Sequence, residues 1–214
     1  MRKIIESRRY LLQAPNLHGD LHLRFAVVAS QSKFSIKKMY IAMLPQHPKV
    51  PWKCLTLQAG IHPRYKFILW LTMRRRLATV DRLFKFGIIV PPTCVFCNTY
   101  DETLLHLFFY CTATKALWHR MLVWLGVHRA IGSWQEEVQW TTTMVKRKSG
   151  RGAITSAVFA MVIALVWRDR DLIRFQSHNY NEDRLCKEIV VHLHIRGRTR
   201  RKWQPVLSQL NPMP

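Results

Sequence analysis

Acidic side chains are what this sequence has least of. It carries 12 Asp and Glu against 34 Lys and Arg in 214 residues, a formal net charge of +22. So one-sided a balance argues for a polyanionic partner, nucleic acid before others; a reading frame that has lost an acidic part is the plainer alternative. There is no even set of cysteines. Five are present, three clustered and Cys54 and Cys186 alone, which argues against a secreted disulfide framework. The opening stretch MRKIIESRRYLLQAP has no apolar core, so no secretory signal is visible and an intracellular, reducing setting, nucleus or cytoplasm, is expected. No internal repeat is present. One long apolar run occurs, AITSAVFAMVIALVW at residues 153–167, but it stops at Arg168 after fifteen residues. That is short of the ~20 a bilayer needs, so it reads as a buried helix and no membrane partner is expected.

What remains is a chain that is 49% hydrophobic, too apolar for wholesale disorder and long enough for one domain or two small ones. Its charge is uneven. Residues 34–93 hold eleven basic and one acidic residue, residues 94–126 two of each, and residues 179–214 seven against three. The first of these is the candidate phosphate-binding segment.

Helical signals are short and frequent. A short helix is expected over Lys3–Leu12. Ser35 can cap a helix over 34–44, with Ile36, Tyr40, Ile41 and Leu44 on one face, ended by Pro45, Pro48 and Pro51. Pro63 opens another over 63–77, with Phe67, Ile68, Leu71 and the stem of Arg75 at helical spacing and Arg74, Arg75 and Arg76 at the end where the dipole favours cations. Thr79 to Gly87 reads as a fourth, with Thr79 as cap. A helix over Lys115–Leu125 follows, with Thr114 as its cap and Gly126 as its stop. Residues 127–151, ending in KRKSGRG, read as a linker, and the tail from Val191 opens with strand-like alternation.

Between the helices over 79–87 and 115–125 lies CVFCNTYDETLLHLFFYC, residues 94–111, spaced Cys-x2-Cys-x8-His-x4-Cys. Three thiolates and an imidazole are a standard structural zinc set. His106 and Cys111 are five apart, roughly 140° around a regular helix. For Cys94, Cys97, His106 and Cys111 to meet at one ion, the helix carrying His106 must end before Cys111 and the chain must fold back there. With four protein donors no position stays open for water, so the zinc is structural and not catalytic. The alternatives are three buried cysteines beside a hydrogen-bonded histidine, and, with less support, redox chemistry by Cys94 and Cys97.

FSIKKMY, VPWK, PRYKFILWLTMRRRLATVDRLFKFGI, CVFC and LLHLFFYCTATKALW, in this order, resemble the zinc-binding domain of plant non-LTR (LINE-type) retrotransposon reverse transcriptases. The likeness spans residues 34–125, and AVFAMVIALVWRDRDLIRF more loosely resembles the apolar helix that often follows it. The chain departs at KCLTLQAG, where the family usually has a tryptophan, and at Ala78, where it commonly has a proline. The resemblance puts Cys94, Cys97, His106 and Cys111 on the family's metal positions. It implies a module that sits beside a polymerase, so a retroelement polymerase is an expected partner.

The fold expected is mainly α: short helices around one Cys3His zinc site, then a linker and a long apolar helix. The segments are a weakly structured 1–33, a reverse-transcriptase-type zinc-binding module at 34–126, the linker 127–151, the apolar helix 152–178 and a basic tail 179–214. RNA or DNA would be held non-specifically by Lys37, Lys38, Arg64, Lys66, Arg74, Arg75, Arg76 and Arg82. Tyr65 or Trp70 could stack on a base, although Trp70 reads more readily as core. Arg196, Arg198, Arg200 and Arg201 form a weak nuclear-targeting patch. No Tyr-x-Asp-Asp pair is present, and Asp169 and Asp171, between Arg168, Arg170 and Arg174, read as a salt-bridged helix end. No enzymatic activity is expected. A scaffold that binds protein instead, or a decayed reading frame, stays open.

Overall fold

The 27-residue helix Gly150–Gln176 is apolar around its whole circumference, and such a helix must be covered on every side. Every residue from Ile154 to Val166 is buried. By length and composition alone this helix could cross a membrane; the protein instead wraps it. The computed structural model describes residues 50–210, with Lys37, Tyr40 and Ile41, which are helical. The expected helix over Lys3–Leu12 and most of that over 34–44 lie outside the described residues. The chain divides into two units, Met1–Lys49 and Val50–Pro214, and every element named below belongs to the second.

In chain order these are α1 (Lys53–Leu57), α2 (Pro63–Met73), α3 (Val80–Phe84), a π-helical turn (His106–Tyr110), α4 (Thr112–Trp124), α5 (Trp134–Lys146), α6 (Gly150–Gln176), α7 (Glu182–Gly197) and α8 (Gln204–Leu207). The mainly helical fold is as expected. Among the described residues the one β-type pairing is an isolated antiparallel bridge, Thr93 to Asp101. The long helix α6 packs on α2 and α5 most extensively, then on α7 and α4. An aromatic cluster joins them: Phe159 of α6 lies 5.5 Å from Trp118 of α4, 6.1 Å from Phe109 of the π-turn and 6.3 Å from Trp134 of α5, centroid to centroid.

Several sequence expectations are corrected. Residues 127–151 are not a linker. Ser133 and Glu136 form a capping box that starts α5. The wholly buried Glu137 then accepts from Trp118 Nε1 at 2.9 Å, from both Arg129 guanidinium nitrogens at 2.7 and 2.8 Å, and from the Gly132 N–H at 2.8 Å. Trp134, Val138, Thr141, Thr142 and Val145 give this helix a covered face at helical spacing, and Glu137 adds a polar anchor. The tail is not a tail, and its alternation at 191–195 is not a strand. Leu185, Cys186, Ile189, Val190 and Leu193 make a helical face that α7 buries. In α2 the buried residues are Leu69 and Thr72, while Phe67 and Trp70 stand 58% and 42% exposed, so Trp70 is not core.

Candidate metal centre

Two prolines, Pro91 and Pro92, bring the chain to Cys94 in extended form. The Glu102 N–H donates to the Pro92 carbonyl at 2.8 Å and the Cys94 N–H to the Tyr100 carbonyl at 2.8 Å, closing residues 92–102 into a loop. Within it the Asn98 N–H donates to the Cys94 carbonyl at 2.9 Å, and Asn98 takes a left-handed φ of 52°. Asparagine tolerates that conformation better than most residues. The tight turn aims the N–H groups of Phe96 and Cys97 at the Cys94 sulfur, which favours a thiolate there.

The second pair of donors comes from the π-turn. The Cys111 N–H donates to the His106 carbonyl at 2.7 Å, five residues back. This wider winding brings His106 and Cys111 towards one side, where a regular helix would separate them. Cys111 itself is extended, with ψ 129°, and is the N-cap residue of α4. The expected break before the last sulfur is therefore present, with a widened turn ahead of it. The new helix starts at Thr112, three residues earlier than a Thr114 cap would place it. Thr114 instead buries its hydroxyl and donates to the Leu107 carbonyl at 2.7 Å, while the N–H groups of Ala113 and Thr114 serve the Cys111 sulfur.

The donor atoms of Cys94, Cys97, His106 and Cys111 all lie within 4.8 Å of one another. Sulfur to sulfur, Cys94 and Cys111 are 3.9 Å apart; Cys97 Sγ and His106 Nε2 are 3.3 Å apart. Tetrahedral zinc with ~2.3 Å bonds to sulfur and ~2.0 Å to nitrogen separates its donors by ~3.5–3.8 Å, so the set fits that ion. Cys94 and Cys111 are fully buried, while Cys97 is half-buried. The hydrogen bond between the two sulfurs pulls the Cys111 thiol down to about 5, against its burial. The same bond, with burial, pushes the Cys94 thiol up. The pocket by itself thus sustains one thiolate and resists a second, and a cation relieves that conflict. With four protein donors the ion supplies folding energy.

Sequence reasoning missed Glu102. Its carboxylate is fully buried and accepts from Arg170 Nε at 3.0 Å and Nη2 at 2.5 Å, from Arg174 at 3.0 Å, and from the Val80 N–H at 3.2 Å. Thr79 holds the N-cap position of α3, but its side chain makes no capping bond, so the distant Glu102 serves. Nothing local in the sequence distinguishes Glu102 from the neighbouring Asp101. Asp169 and Asp171 do sit in salt bridges. Asp169 is buried between Arg168 and Arg184, and Asp171 pairs with Arg170.

Of the candidate phosphate contacts, Arg75, Arg76 and Arg82 line one cleft of about 530 Å³ with Lys85, Phe86 and Asp81. The Arg82 guanidinium lies 5.5 Å from the Phe86 ring centroid. Arg74 is exposed at the end of α2 but does not line that cleft, and neither do Arg64 and half-buried Lys66. Tyr65 turns inward, its hydroxyl 2.9 Å from His192 Nδ1. Lys38 lies outside the described residues. Lys85 and Phe86 were legible only as part of the basic run.

No curated protein and no solved structure matches the chain significantly. A family model described as zinc-binding in reverse transcriptase matches residues 34–118, and all four donors fall inside the match. This stretch of the chain is similar to the zinc-binding domain of reverse transcriptases.

Proposed function

We propose that the protein is a non-catalytic nucleic-acid-holding module derived from the reverse transcriptase of a non-LTR element, of the plant LINE type its sequence resembles, and that it works inside the cell. The observation that carries this reading is the cleft where Arg75, Arg76, Arg82 and Lys85 converge beside Phe86, within the segment that matches the reverse-transcriptase family. Four cations around one opening suit consecutive phosphates, and exposed Phe86, Phe67 and Trp70 offer faces for unstacked bases. Zinc holds the loop that positions this surface and takes no part in any reaction.

The test is a salt titration of zinc-loaded protein against single-stranded RNA and DNA, read by fluorescence anisotropy. Contact with three or more phosphates predicts a slope of log K on log salt of about −2 or steeper, the single-strand value being about −0.7 per phosphate. Binding that ignores salt, or no binding, overturns the reading.

A second reading rests on a different feature. Phe84, Phe86, Ile88 and Ile89 are exposed in one short stretch, Ile89 by 86%, which is unusual for an isolated surface. A scaffold role, with this stretch docked on a polymerase, would leave affinity insensitive to salt.

A further inference from the structure

Two basic runs far apart in sequence, both outside the segment that matches the family, meet at one place in the structure. Lys148 and Ser149, at the start of α6, and Arg200, Arg201, Lys202 and Trp203, after α7, line a single cleft of about 480 Å³. All four cations are exposed, and no acidic residue lines the cleft. Among the described residues none of the four forms a salt bridge; the carboxylates of α6 and α7 are paired elsewhere, with Arg120, Arg168, Arg170 and Arg184.

The cluster is held in place by the fold. The Trp203 N–H donates to the Arg200 carbonyl at 2.8 Å and the Arg200 N–H to the Gly197 carbonyl at 3.0 Å, so the run is folded into turns. Buried Trp203 pins it by lying on Gly60, where a Cβ would stand 2.9 Å from the indole. A Cβ on Gly150 would collide with the Lys202 carbonyl oxygen, so only glycine lets the two runs come this close. Ordering four long cations before any ligand arrives reduces the entropy cost of binding one. Gathering them without a carboxylate is electrostatically unfavourable unless an anion compensates. The N-terminal, positive end of α6 lies at the same opening.

We propose that this cleft is a second nucleic-acid site, one that grips the phosphodiester backbone of a duplex. It differs in kind from the arginine cleft beside Phe86. Its one aromatic, Trp203, is buried under its own fold and offers no face to a base. Recognition is therefore by phosphate alone, independent of sequence and without the preference for single strands that stacking confers. Its four cations all lie outside the segment that matches the family, so they can be removed without touching the arginine cleft, and the site stands or falls separately from the function proposed for the zinc-binding segment.

The experiment compares zinc-loaded wild-type protein with two full-length variants, Lys148→Gln/Arg200→Gln/Arg201→Gln/Lys202→Gln and Arg75→Gln/Arg76→Gln/Arg82→Gln. Each is titrated with a 30-base-pair random-sequence DNA duplex and with a 30-nucleotide oligouridine over a range of salt. Loss of four phosphate contacts should flatten the duplex salt slope by up to ~3.6 and weaken duplex binding at least tenfold at 0.1 M salt, with oligouridine less affected. The milder charge-reversed Arg201→Glu should show the same sense of change, and thermal melts should show both proteins folded. Unchanged duplex affinity and slope in the quadruple variant overturn the second site while leaving the arginine cleft intact. Loss of duplex binding there with no change in the arginine-cleft variant supports the second site and overturns the first.

Discussion

Replacing Glu102 should damage this protein more than replacing any surface acid, because of what its removal leaves behind. The Arg170 side chain is only 2% exposed and donates to Glu102 through Nε and Nη2, with further contacts to Asp171 and the Ala78 carbonyl. Arg174 is 9% exposed and also loses a carboxylate partner. Breaking a buried pair by deleting one partner costs about 3–5 kcal/mol, chiefly through the stranded charge. The Val80 N–H loses its acceptor as well, a further ~1 kcal/mol. Glu102→Ala should therefore destabilise by about 4–6 kcal/mol, or ~8–24 °C in melting temperature for a chain of this size. The assay is urea denaturation of zinc-loaded protein with the m-value monitored. Glu102→Ala/Arg170→Met, which removes both charges, should recover part of the loss. A cost below ~1 kcal/mol at unchanged m, or a double variant no better than the single one, would refute the assignment of Glu102 as the buried keystone of this network.

Other outcomes follow from the same contacts. Cys97→Ser should lower the melting temperature of zinc-loaded protein much more than Cys54→Ser, since only the first removes a metal donor; equal shifts would count against the centre. Burial pushes the Glu188 carboxyl up, but the hydrogen bonds and charge of Arg168 outweigh it and hold it below the usual range. The ionised form therefore stabilises the fold above the ordinary value of ~4.3, and that contribution is lost as pH falls through the lower folded value. Glu188→Gln should flatten the acid limb of a stability–pH curve, and an unaltered limb would show the pair to be inert. A chain truncated after Gly126 strips α5 and α6 from Phe109 and Trp118 and α7 from α4, and circular dichroism should find no cooperative melt even with zinc; a cooperative one would mean that the segment folds alone.

The metal donors were legible because ligand spacing is a local property, written within eighteen residues. The apolar helix was legible for a similar reason, since a run from Ile154 to Val166 has no partner but a core. What escaped depends on distant residues. Helix α5 is anchored by Glu137, whose partners Trp118 and Arg129 lie before the helix begins. The cap of α3 comes from Glu102, twenty-two positions from Val80. Trp70 read as core because its neighbours are apolar, yet the covered side of α2 runs through Leu69 and Thr72. The π-turn could be required from donor geometry but not seen, because winding is set by where Cys111 must go rather than by the propensities of His106–Tyr110.

These long-range contacts link the ion to the arginine cleft. A zinc held by Cys94 and Cys97 fixes the loop that ends at Glu102, whose N–H is tied to Pro92 within the same loop. The Glu102 carboxylate takes the N–H of Val80, the first residue of α3, and its carbonyl accepts from Asp81. One turn on, Arg82 extends from α3 into the cleft and donates to the Arg75 carbonyl at 3.0 Å, where Arg75 holds a left-handed φ of 51°. Such a backbone is costly for a non-glycine residue and persists only where its surroundings enforce it. Removing the ion should take the cross-link from this loop and leave Glu102, and with it the start of α3, held by Arg170, Arg174 and Pro92. A structural metal with no open coordination position can in this way support a surface it never touches, through the loop that ends at the carboxylate from which α3 starts.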